Sequence, residues 1–297
     1  MHSYYLNKLT SPSNIFSLLS QYHLSPKKKL GQNFLIDQNI VKIIVHALNL
    51  NSQESVFEIG TGLGALTESL SNSAKYVFTI EKDQQLKPVL EDLFRDKKRQ
   101  ISILYNDILN FDLKKFLTEK KEKGIVVNKI AGNLPYNISL PLLRKLMDLH
   151  YLLEIAVVMV QKEVAERMMA KPGNKNYGFL SVISQNYSHI DKIHLVKPNV
   201  FYPKPEVDSM IVRINFYDKP VVFIEDKNIF LELLSAIFQN RRKNINNSLK
   251  TYFGERIEQK ELEKMLYCLG IDKNERGENF DLPTYASLTK EIKNIIK

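Results

Sequence analysis

An α/β fold with an open sheet, followed by an all-helical carboxyl-terminal segment, is predicted by three observations. Val56-Phe57-Glu58-Ile59, the turn Gly60-Thr61-Gly62-Leu63-Gly64, the helical start Ala65 to Leu70 and the strand Tyr76 to Ile80 closing in Glu81 form a strand–glycine loop–helix–strand–acid unit of the nucleotide-binding kind. Further apolar runs that read as buried strands follow at Ile101–Tyr105, Ile125–Val127 with Ile130, and Ile155–Val160. After Tyr217 the pattern changes: residues 226–297 carry helical spacing with almost no strand signal, which places a domain boundary near 218. The chain therefore reads as an extension (1–26), a ligand-binding α/β domain (27–217) and a small helical domain (218–297).

Taken in order, the extension has Ile15, Phe16, Leu18, Leu19 and Tyr22 on one side of a short helix beginning after Ser13. Lys27-Lys28-Lys29 is either a solvated loop or a binding site for an anion. From Asp37, a good cap, Ile40, Val41, Ile44, Val45 and Leu48 recur at helical spacing and give one core-facing stripe. In the glycine-loop unit the glycines let the backbone approach a ligand, and Glu81 can accept both hydroxyls of a ribose. Gly60-x-Gly62-x-x-Ala65 with Glu81 also satisfies the dinucleotide fingerprint, so the unit indicates an adenosine-bearing cofactor without selecting one. Asp107, after the third strand, either accepts from an adenine amine or caps the next helix.

The fourth strand leads into Asn133-Leu134-Pro135-Tyr136-Asn137, in the loop at the carboxyl end of the strand, where open α/β sheets bind ligands. Asn133 offers a carbonyl, Pro135 stiffens the turn and removes a backbone donor, and Tyr136 offers a ring on which a base can stack. An ordinary Asn-x-Pro turn with a surface tyrosine is the other reading. Ile138 to Asp148 reads as a helix with Pro141 in its first turn. Gln161 to Met168 is helical, Lys171 to Gly178 is a flexible loop, Ile190 to Val196 is a sixth strand and Ser209 to Phe216 the last. Between those two strands, Pro203 and Pro205 fix an extended segment that presents Phe201 and Tyr202. In the final segment Phe230, Leu233, Leu234, Ile237 and Phe238 form one helical face, followed by the basic corner Arg241-Arg242-Lys243.

The chain has 297 residues, of which 44% are hydrophobic and 25% charged, the balance of a soluble globular protein. Its net charge of +9 points to an anionic partner, nucleic acid or a membrane surface. A single cysteine, Cys268, excludes an internal disulfide and fits a reducing compartment. No apolar run has the length of a membrane span, no secretion signal is visible, and the scattered histidines form no metal-ligand pattern, so the expectation is a cytoplasmic protein without metal.

Together, Lys29-Leu30-Gly31-Gln32-Asn33-Phe34-Leu35, Glu58 to Thr67, Ile80-Glu81, Asn106-Asp107, Asn133 to Asn137, Gln161 to Ala165, Val200-Phe201-x-Pro203-x-Pro205-x-Val207-Asp208-Ser209 and Phe238-x-x-Arg241-Arg242-Lys243 resemble, in order, the small-subunit ribosomal RNA adenine dimethyltransferases. The resemblance implies a Rossmann-like class I methyltransferase with a seven-stranded, mostly parallel sheet and a small all-α carboxyl-terminal domain. It implies S-adenosylmethionine as cofactor and, as substrate, two adjacent adenosines near the 3′ end of 16S RNA in an immature small ribosomal subunit; a monomer is expected, though the sequence itself does not give the oligomeric state. By resemblance, Asn33 and Leu35 contact the cofactor from an amino-terminal lid, Gly60 and Gly62 lie along it, Glu81 holds the ribose and Asp107 the adenine. Asn133 sits between cofactor and target, with Leu134 and Pro135 offering backbone carbonyls to the target amine, and Tyr136 and Phe201 clamp the extruded base. Lys27, Lys28, Lys29, Arg241, Arg242 and Lys243 are the expected RNA contacts.

Three rivals remain open on the sequence. A nicotinamide oxidoreductase shares the glycine loop but leaves the Asn133 stretch and the basic corner without a role. A large-subunit adenine methyltransferase of the macrolide-resistance type shares nearly every catalytic element. A non-catalytic assembly factor would have no need for so complete a site.

Overall fold

The computed structural model describes residues 9–296, so residues 1–8 of the expected extension lie outside the described residues. The chain divides into two compact units. The first runs up to Ala165 and resumes over Ser188–Asp218; the second comprises Glu166–Tyr187 and the chain from Lys219 onward.

In the first unit, α1 (Pro12–Gln21) starts with Pro12 at its first helical position, where a missing N–H costs nothing, and buries Ile15 and Leu19 while Phe16 stays 49% exposed. Asp37 caps α2 (Gln38–Ala47) by accepting from the amides of Asn39 (2.7 Å) and Ile40 (3.2 Å), and the stripe Ile40, Val41, Ile44 is buried as its spacing predicts. The sheet consists of β2 (Ser55–Ile59), β3 (Tyr76–Glu81), β4 (Ile101–Tyr105), β5 (Val127–Asn133), β6 (Ile155–Gln161), β7 (Ser188–Val196) and β9 (Ser209–Phe216). Their order is β4-β3-β2-β5-β6-β9-β7, seven strands in all. The pairs from β4 to β6 are parallel, and β9 runs antiparallel to both of its neighbours. β2 and the first six residues of β6 are fully buried, which is what a strand covered on both faces requires.

From β2 the chain moves to one side for β3 and β4, then crosses to the other side for β5 and β6. That reversal opens a crevice at the carboxyl ends of β2 and β5. The glycine loop after β2, Glu81 at the end of β3, Asp107 after β4 and Asn133 at the end of β5 all project from this edge. Asn133 is the last residue of its strand, paired with Met159, and not part of the loop. The strand starts at Val127, and Val126, expected inside it, is 55% exposed. A second, two-stranded sheet pairs β1 (Phe34–Leu35) with β8 (Phe201–Tyr202), Leu35 facing Phe201.

α3 (Ala65–Ser71), α4 (Lys87–Leu93), α5 (Leu113–Glu122) and α6 (Ser139–Met147) complete the first unit; α7 (Lys162–Met169) leads out of it. The second unit contains α8 (Phe179–Tyr187), a helix without a counterpart in the sequence reading, and α9 (Lys227–Gln239), α10 (Ile245–Phe253), α11 (Gln259–Cys268) and α12 (Leu282–Ile296). Phe230, Leu233, Leu234 and Ile237 bury one face of α9, and Phe238 meets the rings of Tyr177 and Tyr285 at centroid distances of 6.0 and 6.2 Å. The tyrosine hydroxyls are satisfied inside the core, Tyr177 donating to the Phe280 carbonyl (3.0 Å) and Tyr285 to that of Gly277 (2.6 Å).

Candidate active site

Gly60 and Gly62 adopt φ of +84° and +53°, a region that side-chain-bearing residues avoid, so the turn after β2 needs glycine at both positions. The turn is tied to β3: the Gly62 amide donates to Glu81 Oε2 (2.9 Å), and Glu81 Oε1 accepts from the Asp83 amide (2.7 Å). Glu81 is 7% exposed; burial pushes its carboxyl upward, and those amides oppose the shift. Beneath it, Glu58 on β2 is fully buried. It accepts from Thr67 Oγ1 at 2.5 Å, while its Oε1 is buried without a partner. Burial raises the Glu58 carboxyl to about 8, with the hydroxyls of Thr67 and Thr79 opposing the shift.

At the end of β4, Asp107 Oδ1 accepts from the Leu109 amide (3.0 Å) and Oδ2 pairs with Lys82 (2.7 Å), and the bond from Lys82 holds this carboxyl below its ordinary value. The loop beyond it is gathered by Lys145 of α6, whose ammonium donates to the carbonyls of Ile108 (2.8 Å), Leu109 (3.1 Å) and Phe111 (2.5 Å). Three hydrogens meet three acceptors, so the cation is fully used as a brace.

At the end of β5, Asn133 donates its amide nitrogen to the Asn33 carbonyl (2.9 Å). That bond fixes the side chain with Oδ1 uncommitted. The Pro135 carbonyl accepts from the Ile138 amide (3.1 Å) on one of its two lone pairs, which leaves both backbone acceptors expected here able to meet a ligand, that of Leu134 the less committed. Tyr136 is half-buried, its hydroxyl 2.5 Å from Ser209 Oγ, which sets the ring beside the strand end.

The segment 27–35 lies over this crevice as a strap. Lys27 Nζ donates to Asp83 Oδ1 (2.6 Å), Gln32 Nε2 donates to Asp83 Oδ2 (2.9 Å), and at the other end Asn137 Nδ2 donates to the Lys29 carbonyl (3.3 Å). Burial opposes ionisation of Asp83, but the bonds from Lys27, Gln32 and the Gln85 amide hold it below its ordinary value.

One crevice is thus lined by Asn33, Leu35, Gly60, Gly62, Glu81, Asp107 and Asn133 to Tyr136. Glycines that admit close approach, an acid for vicinal hydroxyls and a second acid for an amine fit a ligand carrying adenosine. Among the described residues, no group of His, Cys, Asp and Glu could hold a metal ion.

Several expected site residues are placed differently. Phe201 does not line the crevice: it is 3% exposed, paired with Leu35 and packed into the core of the first unit. Phe201→Ala is therefore expected to destabilise the fold by about 3–5 kcal/mol, read as a lowered denaturation midpoint, and not to act mainly on transfer rate. Lys27 is spent on Asp83, while Lys28 and Lys29 are exposed on a short 3-10 turn. Arg241, in the second unit, is bound to Glu278 (2.7 Å), and Arg242 and Lys243 are exposed. Glu58, Asp83 and Lys145 were not singled out from the sequence. Glu58 had a signal, an acid two residues before the first glycine of the loop; the other two show their roles only through partners far along the chain.

The ribosomal RNA adenine dimethylase family matches residues 23–294. The chain is 37% identical over 285 residues to the ribosomal RNA small subunit methyltransferase A of Geobacillus thermodenitrificans, covering 96% of this chain and 97% of that one. It is 38% identical over 288 residues to the protein of the same name from Bacillus mycoides, covering 97% and 98%. Among solved structures, a dimethyladenosine transferase from Plasmodium falciparum superposes with a TM-score of 0.74 at 26% identity, over 88% of this chain and 98% of that one. The 23S rRNA methyltransferase ErmE shares the fold, with a TM-score of 0.60 at 20% identity, over 88% of this chain and all of its own. The match takes in the strap, the glycine loop, the strand ends and the helical carboxyl-terminal region alike, and the chain belongs to the ribosomal RNA adenine dimethylase family.

Proposed function

We propose that this enzyme transfers methyl groups from S-adenosylmethionine to the exocyclic amines of two adjacent adenosines near the 3′ end of 16S rRNA in an immature small ribosomal subunit, leaving N6-dimethyladenosines. The observation that carries the reading is Asn133, held by the strap carbonyl of Asn33 with Oδ1 free, in the same crevice as Glu81 and Asp107. S-adenosylmethionine supplies a methyl group already activated by its sulfonium, so the protein's work is placement more than activation. Gly60 and Gly62 leave room for the methionine portion, Glu81 offers carboxylate oxygens to the ribose, and Asp107 accepts from the adenine amine.

The target amine is a weak nucleophile because its lone pair is delocalised into the ring. Asn133 Oδ1 and the Leu134 carbonyl bind its hydrogens and favour the pyramidal, more nucleophilic nitrogen. Tyr136 stacks on the extruded base, worth roughly 1–3 kcal/mol. No strong general base is required. The relatives of similar length named as small-subunit enzymes favour this substrate over large-subunit RNA. Mapping N6-dimethyladenosines in ribosomal RNA from a strain deleted for this gene tests the reading: the pair near the 3′ end of 16S RNA should vanish and return on complementation, and their persistence would refute it.

Lys145 gives a second test of the site. Lys145→Met should weaken S-adenosylmethionine binding about tenfold, since three carbonyls of the loop beyond Asp107 lose their shared donor and the loop loosens. Transfer at saturating cofactor should change little. Titration calorimetry and single-turnover rates separate the two effects.

A further inference from the structure

The loop at 171–176 of the second unit, expected from its composition to be flexible, is closed by its own hydrogen bonds and tied to its surroundings. The Asn174 amide donates to the Lys171 carbonyl (3.1 Å), the Tyr177 amide to the Asn174 carbonyl (2.9 Å), and the Asn176 amide to Asn174 Oδ1 (2.8 Å), giving consecutive closed turns with Gly173 at φ +80°. Its far end is anchored by Tyr177, which is 1% exposed and donates to the Phe280 carbonyl. Its near side is bound to Glu278 twice over. The Gly173 amide donates to the Glu278 carbonyl (3.0 Å), and Glu278 Oε2 accepts from Arg241 Nε (2.8 Å), while the same guanidinium donates to the carbonyls of Lys175 and Asn174 (3.4 Å for the latter).

Arg241 is therefore committed on its Nε and on both terminal nitrogens, and its charge is balanced by Glu278. What it holds in place is cationic and solvent-facing. Lys171 and Lys175 are exposed on the loop, Arg242 and Lys243 are exposed on the adjoining turn, and Lys243 donates only to the neutral Thr251 hydroxyl (3.1 Å). Glu278, the acid that binds Arg241, is 22% exposed and already paired.

We propose that the 171–176 loop presents Lys171 and Lys175, together with Arg242 and Lys243, as a preformed surface for RNA phosphates, and that Arg241 is the positioning residue of this surface and not one of its phosphate ligands. A loop backbone already closed by its own bonds has less freedom to lose on binding, and each phosphate neutralised releases counterions and adds to the salt dependence of affinity. The inference rests on RNA being the substrate. It adds to that reading a loop distant in sequence from the basic corner, and it reassigns the first residue of that corner.

The test is binding of the full-length protein to small subunits lacking the methylations, as a function of salt. Lys171→Ala with Lys175→Ala should weaken binding about tenfold at moderate salt and lower the salt slope by about 1.5, with cofactor affinity unchanged. Glu278→Ala distinguishes positioning from bulk attraction by the sign of its effect. It makes the protein more positive, so attraction alone predicts tighter binding, whereas a released Arg241 and loop predict binding several-fold weaker. Should Glu278→Ala fail to fold, Arg241→Lys takes its place, keeping the charge but not the fork that reaches Glu278 and two carbonyls: weaker binding supports the proposal and wild-type binding overturns it. An unchanged slope in the double lysine variant, or tighter binding by folded Glu278→Ala, would equally overturn it. If the wild-type protein binds these subunits without salt dependence, the RNA-substrate reading fails instead.

Discussion

Replacing Asn133 with alanine is expected to slow methyl transfer by about 10²–10³-fold in single turnover, the scale seen when one preorganised polar contact to a reacting group is removed. The residue ends β5, where its backbone is held by the parallel ladder to β6, so truncating the side chain leaves the strand in place. What disappears is an acceptor whose direction is set by the strap: with the amide nitrogen donating to the Asn33 carbonyl, the oxygen alone remains for the target amine. An interaction made with the reacting nitrogen counts in the transition state and little in the ground state. Affinity for small subunits should therefore stay within a few-fold of wild type. Asn133→Asp separates geometry from acceptor strength, because a carboxylate cannot donate to Asn33 and would repel its carbonyl. It should be impaired too, despite being the better acceptor. Single-turnover transfer by Asn133→Ala near the wild-type rate would remove this residue from the chemistry.

Glu81→Ala is expected to weaken S-adenosylmethionine binding by about 1–3 kcal/mol, roughly 5–150-fold, through loss of charge-assisted bonds to the ribose. The geometry adds a second route to the same loss. Glu81 joins the glycine loop to the strap, accepting from Gly62 on one oxygen and from Asp83 on the other, while Asp83 in turn holds Lys27 and Gln32. The variant should bind the adenosine-containing product S-adenosylhomocysteine as poorly as the substrate, since both carry the ribose. Titration calorimetry on the folded variant measures it, and wild-type affinity would sink the assignment. Tight NADH binding by the unaltered protein would contradict the cofactor class itself.

The parts of the site that could be read from the chain are those in which adjacent residues carry the meaning. The glycine loop, the acid ending β3 and the Asn-Leu-Pro-Tyr stretch each combine a local backbone requirement with a chemical one, and the sheet topology brings them to one edge. The residues misread are those whose partners lie far away. Lys27 reads as a solvated cation or an RNA contact until Asp83, 56 residues on, is folded against it. Arg241 reads as one of three RNA contacts in its corner until Glu278, 37 residues on, takes its guanidinium. Phe201, set before two prolines, suggests a presented ring; pairing with Leu35 turns it inward, and only the β1–β8 register records that. The same limit hid the membership of Glu166–Tyr187 in the helical unit, since a segment between two sheet strands carries no local mark of leaving the sheet.

The central claim is that this crevice dimethylates two neighbouring adenosines of small-subunit RNA. It is tested most directly by incubating the purified protein with small subunits from a strain lacking these methylations and S-adenosylmethionine carrying a labelled methyl group, then sequencing the labelled RNA fragment by mass spectrometry. The account predicts two methyl groups on each of two adjacent adenosines near the 3′ end of 16S RNA, and no label with Asn133→Ala on the same timescale. Label confined to large-subunit RNA, or the same label from the Asn133 variant at the wild-type rate, would contradict it.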